Sequence, residues 1–521
     1  MDVAQVLFST SVVTPAALMG TAALLSRFRR LPIAGLWRTF QALSMVALVF
    51  TVLSVCVGPG NLRWFGALQA SPFGLILAIL VQLLGTVIGG FSSRYLEGEA
   101  GQRHYISALA AVLASVHLLL MADHWLVLIA AWALVGAALQ PLLCFYPDRA
   151  FAQLAAHKKR IADRLADSLL LGAAALAWAE VGSGSLSALW WHLARQGMSS
   201  SLQLSALALV LAVVLRTALL PVHGWLIQVM EAPTPVSALL HAGVVNLGGF
   251  VLIRFAPLLE QAAPARAILL VFGLATAVLA GMVMLTRISI KVRLAWSTAA
   301  QMGFMLLECA LGLYTLAALH LIGHSLYKAH TFLSASAVVR QTRLQSFNRP
   351  ASPTALSLVL APTLTISVVL FIVSLSGQVS WPWWWSVVLG LAWAPVLWLP
   401  AVPASLLARI GQVLFGLLIV ISLTATAMVA HALPLGIQDA PHHELGLIAL
   451  FSMAALYLCV ALLQLRPRLL SAWWRWSYAG FYVDEAYTRV ALRLWPAHWM
   501  PGSFNRANLK AAASPLADAP Q

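Results

Sequence analysis

The sequence predicts an all-α membrane protein that crosses the bilayer many times. Of its 521 residues, 61% belong to the apolar set AVILMFWYC and only 9% are Asp, Glu, Lys or Arg, whereas a soluble domain carries about 25% charged residues. A soluble globule of this length would need more charge to cover its surface. At about 20 apolar residues per spanning helix, the chain has room for about 15 crossings. We therefore expect no enzyme that works in its own aqueous domain.

Apolar stretches of spanning length follow one another along the chain and are joined by polar loops. Their length and hydropathy predict transmembrane helices. We place these helices, with bounds good to a few residues, at 5–26, 36–57, 72–93, 105–121, 124–145, 161–180, 204–230, 235–257, 265–286, 292–311, 315–339, 352–376, 382–402, 410–431 and 444–465.

The basic residues, which give the chain a formal net charge of +15, indicate its orientation. Nucleic-acid binding would need them clustered on one solvated face with stacking aromatic residues. Here the basic residues are concentrated in every second loop, and the positive-inside rule assigns such loops to the cytoplasmic side. The N-terminus is therefore predicted outside and the C-terminus in the cytoplasm. The basic loops carry Arg27, Arg29 and Arg30; Arg94 and Arg103; Lys158, Lys159 and Arg160; Arg287 and Lys291; Arg340, Arg343 and Arg349; and Arg466, Arg468 and Arg475.

Two features lie outside this helical pattern. The segment 470–499, which mixes Trp, Tyr and Arg, predicts a helix in the membrane interface, and the tail 501–521 has a composition typical of disorder. The four cysteines are far apart in apolar stretches, and no pair has metal-ligand spacing. We therefore predict no metal site in this chain.

The strongest functional signal is a row of ionisable residues in the segment HLIGHSLYKAH. His320, His324 and Lys328 follow at i, i+4 and i+8, which places them on one stripe of a helix. Ionisable residues at membrane depth are costly and usually functional, and histidine titrates near neutrality. The row therefore suits a proton relay, with polar helix packing as the alternative reading. Glu308, near the outer end of the preceding segment, is a candidate exit group for the relay.

A second signal lies in the segment LRTALLPVHGWL. Arg216 sits at membrane depth, and Pro221 removes a helical hydrogen bond, so we predict a broken helix beside a buried charge. An ordinary kink is the alternative. His241 follows in the next helix, and we group it with this charge. Asp163 and Asp167 could offset Arg216 from a neighbouring helix, or could pair within their own helix with Arg160 and Arg164.

Four stretches closely resemble the antiporter-like membrane subunits of respiratory complex I and of Mrp sodium/proton antiporters: RTALLPVHGWL, EAPTPVSALLHAG, KVRLAWSTAAQMGFM and HLIGHSLYKAHTFL. The resemblance implies two inverted five-helix repeats with broken helices and a central proton path. It assigns His320, His324 and Lys328 to the family's relay, His241 to the histidine after its PTPVSALxHA motif, and Arg164 and Asp167 to the start of its sixth helix. It divides the chain into N-terminal helices 1–103, a first repeat 104–257, a second repeat 265–402, C-terminal helices 410–465, and an interfacial segment with cytoplasmic tail 470–521.

The chain departs from the family at three positions that matter for pumping. Ala133 stands where the family has a glutamate after Trp132, and Arg216 replaces a lysine; an arginine stays protonated and cannot exchange a proton. The segment 350–408 contains no Asp, Glu, Lys, Arg or His, so the lysine of the second broken helix is missing. Pro362 is the residue expected to break that helix.

These departures make the chain similar to the membrane subunits of bacterial inorganic-carbon accumulation complexes. That resemblance implies a proton-conducting, energy-coupling subunit of the bacterial inner membrane. It also implies a large cytoplasmic partner resembling a zinc carbonic anhydrase, with zinc in the partner and no cofactor in this chain. The alternatives are a subunit of a complex I-like or Mrp-type antiporter and a proton-silent membrane anchor.

Overall fold

The computed structural model describes residues 3–28, 30–57, 63–64, 66–335, 352–375, 381–401, 405–466 and 468–496. The expected tail 501–521 lies outside these ranges. Apart from a two-stranded antiparallel hairpin, Arg63–Trp64 and Leu68–Gln69, the described elements are helices. The α-helices are α1 Val3–Leu25, α2 Ile33–Val57, α3 Pro72–Tyr95, α4 Gln102–Leu120, α5 Trp125–Leu143, α6 Ala150–Val181, α7 Leu186–Gln196, α8 Ser200–Arg216, α9 Gly224–Gln228, α10 Thr234–Ala242, α11 Leu247–Arg254, α12 Ala256–Gln261, α13 Ala263–Leu285, α14 Ile290–Ala310, α15 Tyr314–Leu333, α16 Ala355–Leu375, α17 Trp383–Trp393, α18 Leu406–His431, α19 His443–Leu465, α20 Ser471–Tyr478 and α21 Val483–Leu494.

The predicted all-α, multi-pass class is confirmed. Among the described residues, nine helices are long and apolar enough to cross a membrane. Several of them present large apolar side chains outward, such as Leu407 in α18 and Phe451 in α19, which suits contact with lipid rather than with water. The number of about 15 crossings and the two inverted repeats stay predictions.

Four of the helices begin directly after a serine whose side chain caps the helix. Ser71, Ser185, Ser199 and Ser405 precede α3, α7, α8 and α18, and each side-chain hydroxyl accepts a hydrogen bond from the backbone N–H three residues later. Such caps satisfy one of the N–H groups that a helix start leaves without a partner. They hold helix ends at defined depths, which in turn sets the depth of the side chains farther along.

The segment 204–230, in which the sequence predicts a helix break at Pro221, is interrupted in the structure. Helix α8 ends at Arg216, five residues before Pro221, and α9 begins at Gly224. Ala218 has a φ of 55°, which a right-handed helix cannot contain, and the N–H of Leu220 donates to Thr276 Oγ1 of α13 at 3.1 Å. The break therefore leaves Arg216 at the end of α8, and the interrupted segment contacts α13.

The helix break expected at Pro362 is wrong. Helix α16 runs without interruption from Ala355 to Leu375 with Pro362 inside it. A proline leaves the carbonyl four residues earlier without its helical partner, here that of Leu358. The hydroxyl of Tyr457 in α19 donates to this carbonyl at 2.8 Å. A neighbouring helix thus satisfies the carbonyl that Pro362 leaves without its helical partner.

Changing Tyr457 to Phe is expected to destabilise the protein by about 1–3 kcal/mol, because the Leu358 carbonyl then loses its only replacement donor in the described structure. The same hydroxyl also accepts from Trp398 Nε1 at 3.2 Å. Unfolding in detergent, compared with Tyr478→Phe at an exposed position, measures the difference. Equal stability of the two variants would contradict this account of α16.

Helices α13 and α14 pack at very short distance through glycines. A Cβ on Gly273 would lie 2.9 Å from the Gly303 carbonyl oxygen, and one on Gly303 would lie 2.6 Å from the Ala277 nitrogen. Small residues are what allows helix backbones to approach so closely in membranes. This contact fixes α14, which carries Glu308 and Ser297, against α13. Helix α13 is also the helix whose Thr276 accepts a hydrogen bond from the interrupted segment after Arg216.

Candidate functional site

The row of ionisable residues begins where α14 turns into α15. Glu308, in the last turn of α14, is buried and its Oε2 lies 2.9 Å from His320 Nδ1 of α15. The turn between the helices needs Gly312, whose φ is 76° and whose Cβ would lie 1.9 Å from the Ala440 carbonyl oxygen. This tight turn brings a carboxylate and a histidine that are 12 residues apart in sequence into direct contact.

His324 is the next member of the row. Its ring centroid lies 6.1 Å from that of His320, and it is buried, with no hydrogen-bond partner for either ring nitrogen within the described structure. Buried polar groups are nearly always paired with protein or with water. A ring in this setting is therefore a place where bridging water is expected, and such water could carry a proton between the two histidines.

Lys328 closes the row on α15. Its side chain is almost completely buried, and Nζ donates to the carbonyl of Leu294 at 3.0 Å and to the hydroxyl of Ser297. Both acceptors belong to α14, the helix that also supplies Glu308. A neutral hydroxyl and a carbonyl accept from the lysine without adding a negative charge. Within the described residues no carboxylate pairs with Lys328, so no counter-charge holds its proton.

His241 joins this row from α10. Its ring stacks on Phe332 of α15 with centroids 4.7 Å apart, and it lies within electrostatic range of His324 and Lys328. Sequence reasoning grouped His241 with the charge at the broken helix, whereas the fold places it beside the relay. The junction after α10 is tied to the same helix, because Asn246 Nδ2 donates to Ser325 Oγ at 2.7 Å.

Arg216 forms a second, separate site. Its Nη2 donates to Asp167 Oδ1, its Nη1 donates to the Trp132 carbonyl at 2.8 Å, and its guanidinium lies 4.9 Å from the centre of the Trp132 ring. The arginine is thus held at the residue just before Ala133, where the resemblance expected a glutamate. Asp167 and the Trp132 carbonyl supply the negative end that the missing glutamate would have supplied.

The structure distinguishes the two aspartates of α6. Asp163 pairs with Lys159 in its own helix and Asp167 pairs with Arg216, while Arg164 is exposed. Arg164 and Asp167 do not open a helix, because α6 already begins at Ala150. The basic residues 158–160 were assigned to a cytoplasmic loop, yet Lys158 and Lys159 are buried on this helix.

Sequence reasoning missed Ser297, Asn246, Ser325 and Lys159 as parts of these sites. Serine and asparagine inside apolar stretches are a weak signal, because such side chains often bond their own helix backbone. Lys159 was hidden by the basic residues on either side of it. Its spacing of four from Asp163 was the one available sign of a pair within the helix.

Comparison with known proteins places the chain in a family. The profile of the NADH:quinone oxidoreductase/Mrp antiporter transmembrane family matches residues 122–378. The chain is 36% identical, over 91% of its length and 93% of the relative's, to the probable inorganic carbon transporter subunit DabB of Hydrogenovibrio crunogenus. It is 42% identical to the probable inorganic carbon transporter subunit DabB2 of Halothiobacillus neapolitanus, over 61% of this chain and 60% of that one.

Solved structures share the fold. An Mrp complex from Dietzia sp. aligns with a TM-score of 0.57 and 19% identity, over 97% of this chain and 58% of the other. An archaeal membrane-bound sulfane sulfur reductase aligns with a TM-score of 0.58 and 16% identity, over 93% and 99% of the two chains. The resemblance read from the sequence is confirmed: the chain belongs to the antiporter-like membrane subunit family and is a DabB-like member of it.

Proposed function

We propose that the chain is the proton-conducting, energy-coupling membrane subunit of a bacterial inorganic-carbon accumulation complex. The observation that carries this proposal is the row formed by Glu308, His320, His324 and Lys328. It joins a carboxylate, two imidazoles and an amine along two adjacent helices, and each can take up and release a proton. The names of the DabB relatives support inorganic carbon as the transported material.

In this proposal Glu308 is the entry group of the row rather than the exit group suggested by the sequence: protons enter near it and pass along the row to Lys328. The direct contact of Glu308 with His320 provides the first step, and water-bridged transfer between the histidines provides the second. From Lys328 the proton leaves toward the cytoplasmic side, where a partner uses the flow. The proton motive force thereby drives chemistry that this chain does not itself perform.

Arg216 acts as a fixed positive charge beside this path. Since arginine remains protonated and its charge is offset by Asp167, it cannot substitute for the exchangeable lysine of the family. It repels a cation that approaches through the first broken helix and so closes a second route. Conduction then depends on the α14–α15 row alone.

The partner in this proposal is a large cytoplasmic DabA-like subunit that resembles a zinc carbonic anhydrase. Zinc belongs to that partner, and we expect no cofactor in this chain. The subunit would lie in the bacterial inner membrane with its N-terminus outside and its C-terminus in the cytoplasm, in keeping with its basic loops. Its contacts are with the partner and with lipid, and not with nucleic acid.

Replacing His324 with Gln tests conduction directly. Gln keeps a polar side chain but cannot titrate, so proton uptake by proteoliposomes that contain the purified complex is expected to fall at least about ten-fold. His330→Gln, on an exposed face of the same helix, is the matched control and should conduct as the wild type does. Uptake that is insensitive to His324→Gln would favour a proton-silent anchor.

A growth assay separates carbon accumulation from cation antiport. Expression of the chain with its partner is expected to rescue growth at low CO2 and to leave sodium sensitivity unchanged. The reverse pattern, in which sodium tolerance rises and growth at low CO2 does not, would instead indicate an Mrp-type subunit.

A further inference from the structure

The C-terminal helix α21 reaches into the broken-helix region through one aspartate. Lys158 of α6 has a side-chain exposure of 0% and donates to Asp484 Oδ1 at 2.6 Å and to Thr488 Oγ1 at 2.9 Å. The other carboxylate oxygen accepts from Gln228 Nε2 of α9 at 3.1 Å. Asp484 thus links α21 with α6 and with the short helix that follows the break.

The backbone is shaped to admit this carboxylate. A Cβ on Gly224, the first residue of α9, would lie 1.4 Å from Asp484 Oδ1 and 2.6 Å from Lys158 Nζ. No other residue type could stand at 224 without displacing the ion pair. The close approach is therefore specific, and α21 is not simply an amphipathic helix resting on the membrane surface.

His223 connects this cluster to the α14 helix. It is completely buried, its ring lies 4.8 Å from that of Trp296, and it is within electrostatic range of Asp484 and Lys158. Trp296 is the neighbour of Ser297, which holds the Lys328 amine. The end of the relay and the Lys158–Asp484 pair therefore flank the same short stretch of α14.

The Asp484 carboxylate lies between the buried cluster and water. Burial lowers the pKa of Lys158, and the carboxylate of Asp484 opposes that change by stabilising the ammonium form. The side chain of Asp484 is 25% exposed, so it meets water on one side and the buried cluster on the other. A carboxylate in this position can accept a proton from within and release it to solvent.

We propose that Asp484 is the terminal proton-transfer group of the path, reached from Lys328 through His223. The Lys328 ammonium passes its proton by bridging water to His223, leaving a neutral amine and forming an imidazolium. The imidazolium protonates the Asp484 carboxylate and returns to imidazole. The carboxylic acid then releases the proton to solvent, and the hydrogen bond from Lys158 holds the carboxylate in position. This inference rests on the proposed conduction along the Glu308–Lys328 row.

The test is proton uptake by proteoliposomes that contain the full chain with its co-purified partner. Asp484→Asn keeps an acceptor for Lys158 but cannot titrate, and we expect uptake to fall about ten-fold or more. Glu485→Gln, at the exposed neighbouring carboxylate, is the matched control and should leave the rate unchanged.

A double variant separates proton transfer from a structural latch. Asp484→Asn with Lys158→Met removes both charges, which relieves any buried unpaired charge, yet conduction should stay low because the acceptor is still missing. Restored conduction in the double variant or a wild-type rate in Asp484→Asn would overturn the proposal. If His324→Gln does not conduct and Asp484→Asn conducts normally, only this inference fails. If both variants conduct normally, the proposed function fails as well.

Discussion

Replacing Lys328 with Met is expected to abolish carbon-dependent growth at low CO2 while leaving complex assembly intact. Lys328 is the only amine of the Glu308–Lys328 row, and it is held by neutral acceptors on α14 that leave its proton exchangeable. Met has a similar length and no charge, so the buried position is filled without a desolvation cost. Loss of a positioned proton-transfer group slows such steps by about 10²–10⁴-fold, and proton uptake should fall accordingly.

The variant Lys328→Arg distinguishes a need for positive charge at this position from a need for proton transfer. Arginine keeps the positive charge but does not release its proton, so this variant should fail in the same assays if transfer matters, and should conduct if only the charge matters. Co-purification of the partner measures assembly for each variant. Growth of Lys328→Met at the wild-type rate would contradict proton conduction along this row.

Replacing Asp167 with Asn is expected to lower the free energy of unfolding by about 3 kcal/mol, because it leaves the guanidinium of Arg216 buried without its counter-charge. The side chain of Arg216 is 3% exposed and that of Asp167 is 27% exposed. Since water reaches one partner, we place the effect at the low end of the range for a broken buried pair. Equilibrium unfolding in mixed detergent micelles measures it.

Removing both charges should reverse most of that loss. Asp167→Asn combined with Arg216→Met leaves no unpaired charge, and stability is expected within about 1 kcal/mol of wild type. Arg164→Gln, on the exposed face of α6, is the control and should change stability by less than about 0.5 kcal/mol. A double variant as unstable as Asp167→Asn would show that Arg216 is held chiefly by the Trp132 carbonyl and ring.

The row of ionisable residues on α15 could be predicted from the sequence because its members lie on one helix. Spacing of four residues places His320, His324 and Lys328 on a single stripe whatever the rest of the chain does. Glu308 could be proposed because only a short turn separates its helix from α15. Local geometry of this kind depends on hydrogen bonds between residues close in the chain, so pattern alone predicts it.

Residue spacing did not predict which partners the buried charges have. Asp163 and Asp167 stand one turn apart with basic residues on both sides, and nothing in their spacing assigns one to Lys159 and the other to Arg216. Helix α8 comes more than 30 residues after them, and its approach to α6 decides the pairing. The same holds for Pro362, because the donor that satisfies the Leu358 carbonyl comes from Tyr457, 99 residues farther along the chain.

The sequence by itself determined that this is a membrane protein, that it is helical, and that one helix carries a row of ionisable residues. Apolar composition and helical period are local properties, and the bilayer allows few structures other than helices for such a chain. Only the tertiary structure decided that His241 joins the row, that Arg216 belongs to Asp167, and that Asp484 meets Lys158 at the broken helix. These contacts join residues far apart in sequence, and the free energy of burying a charge is settled by what the fold brings beside it.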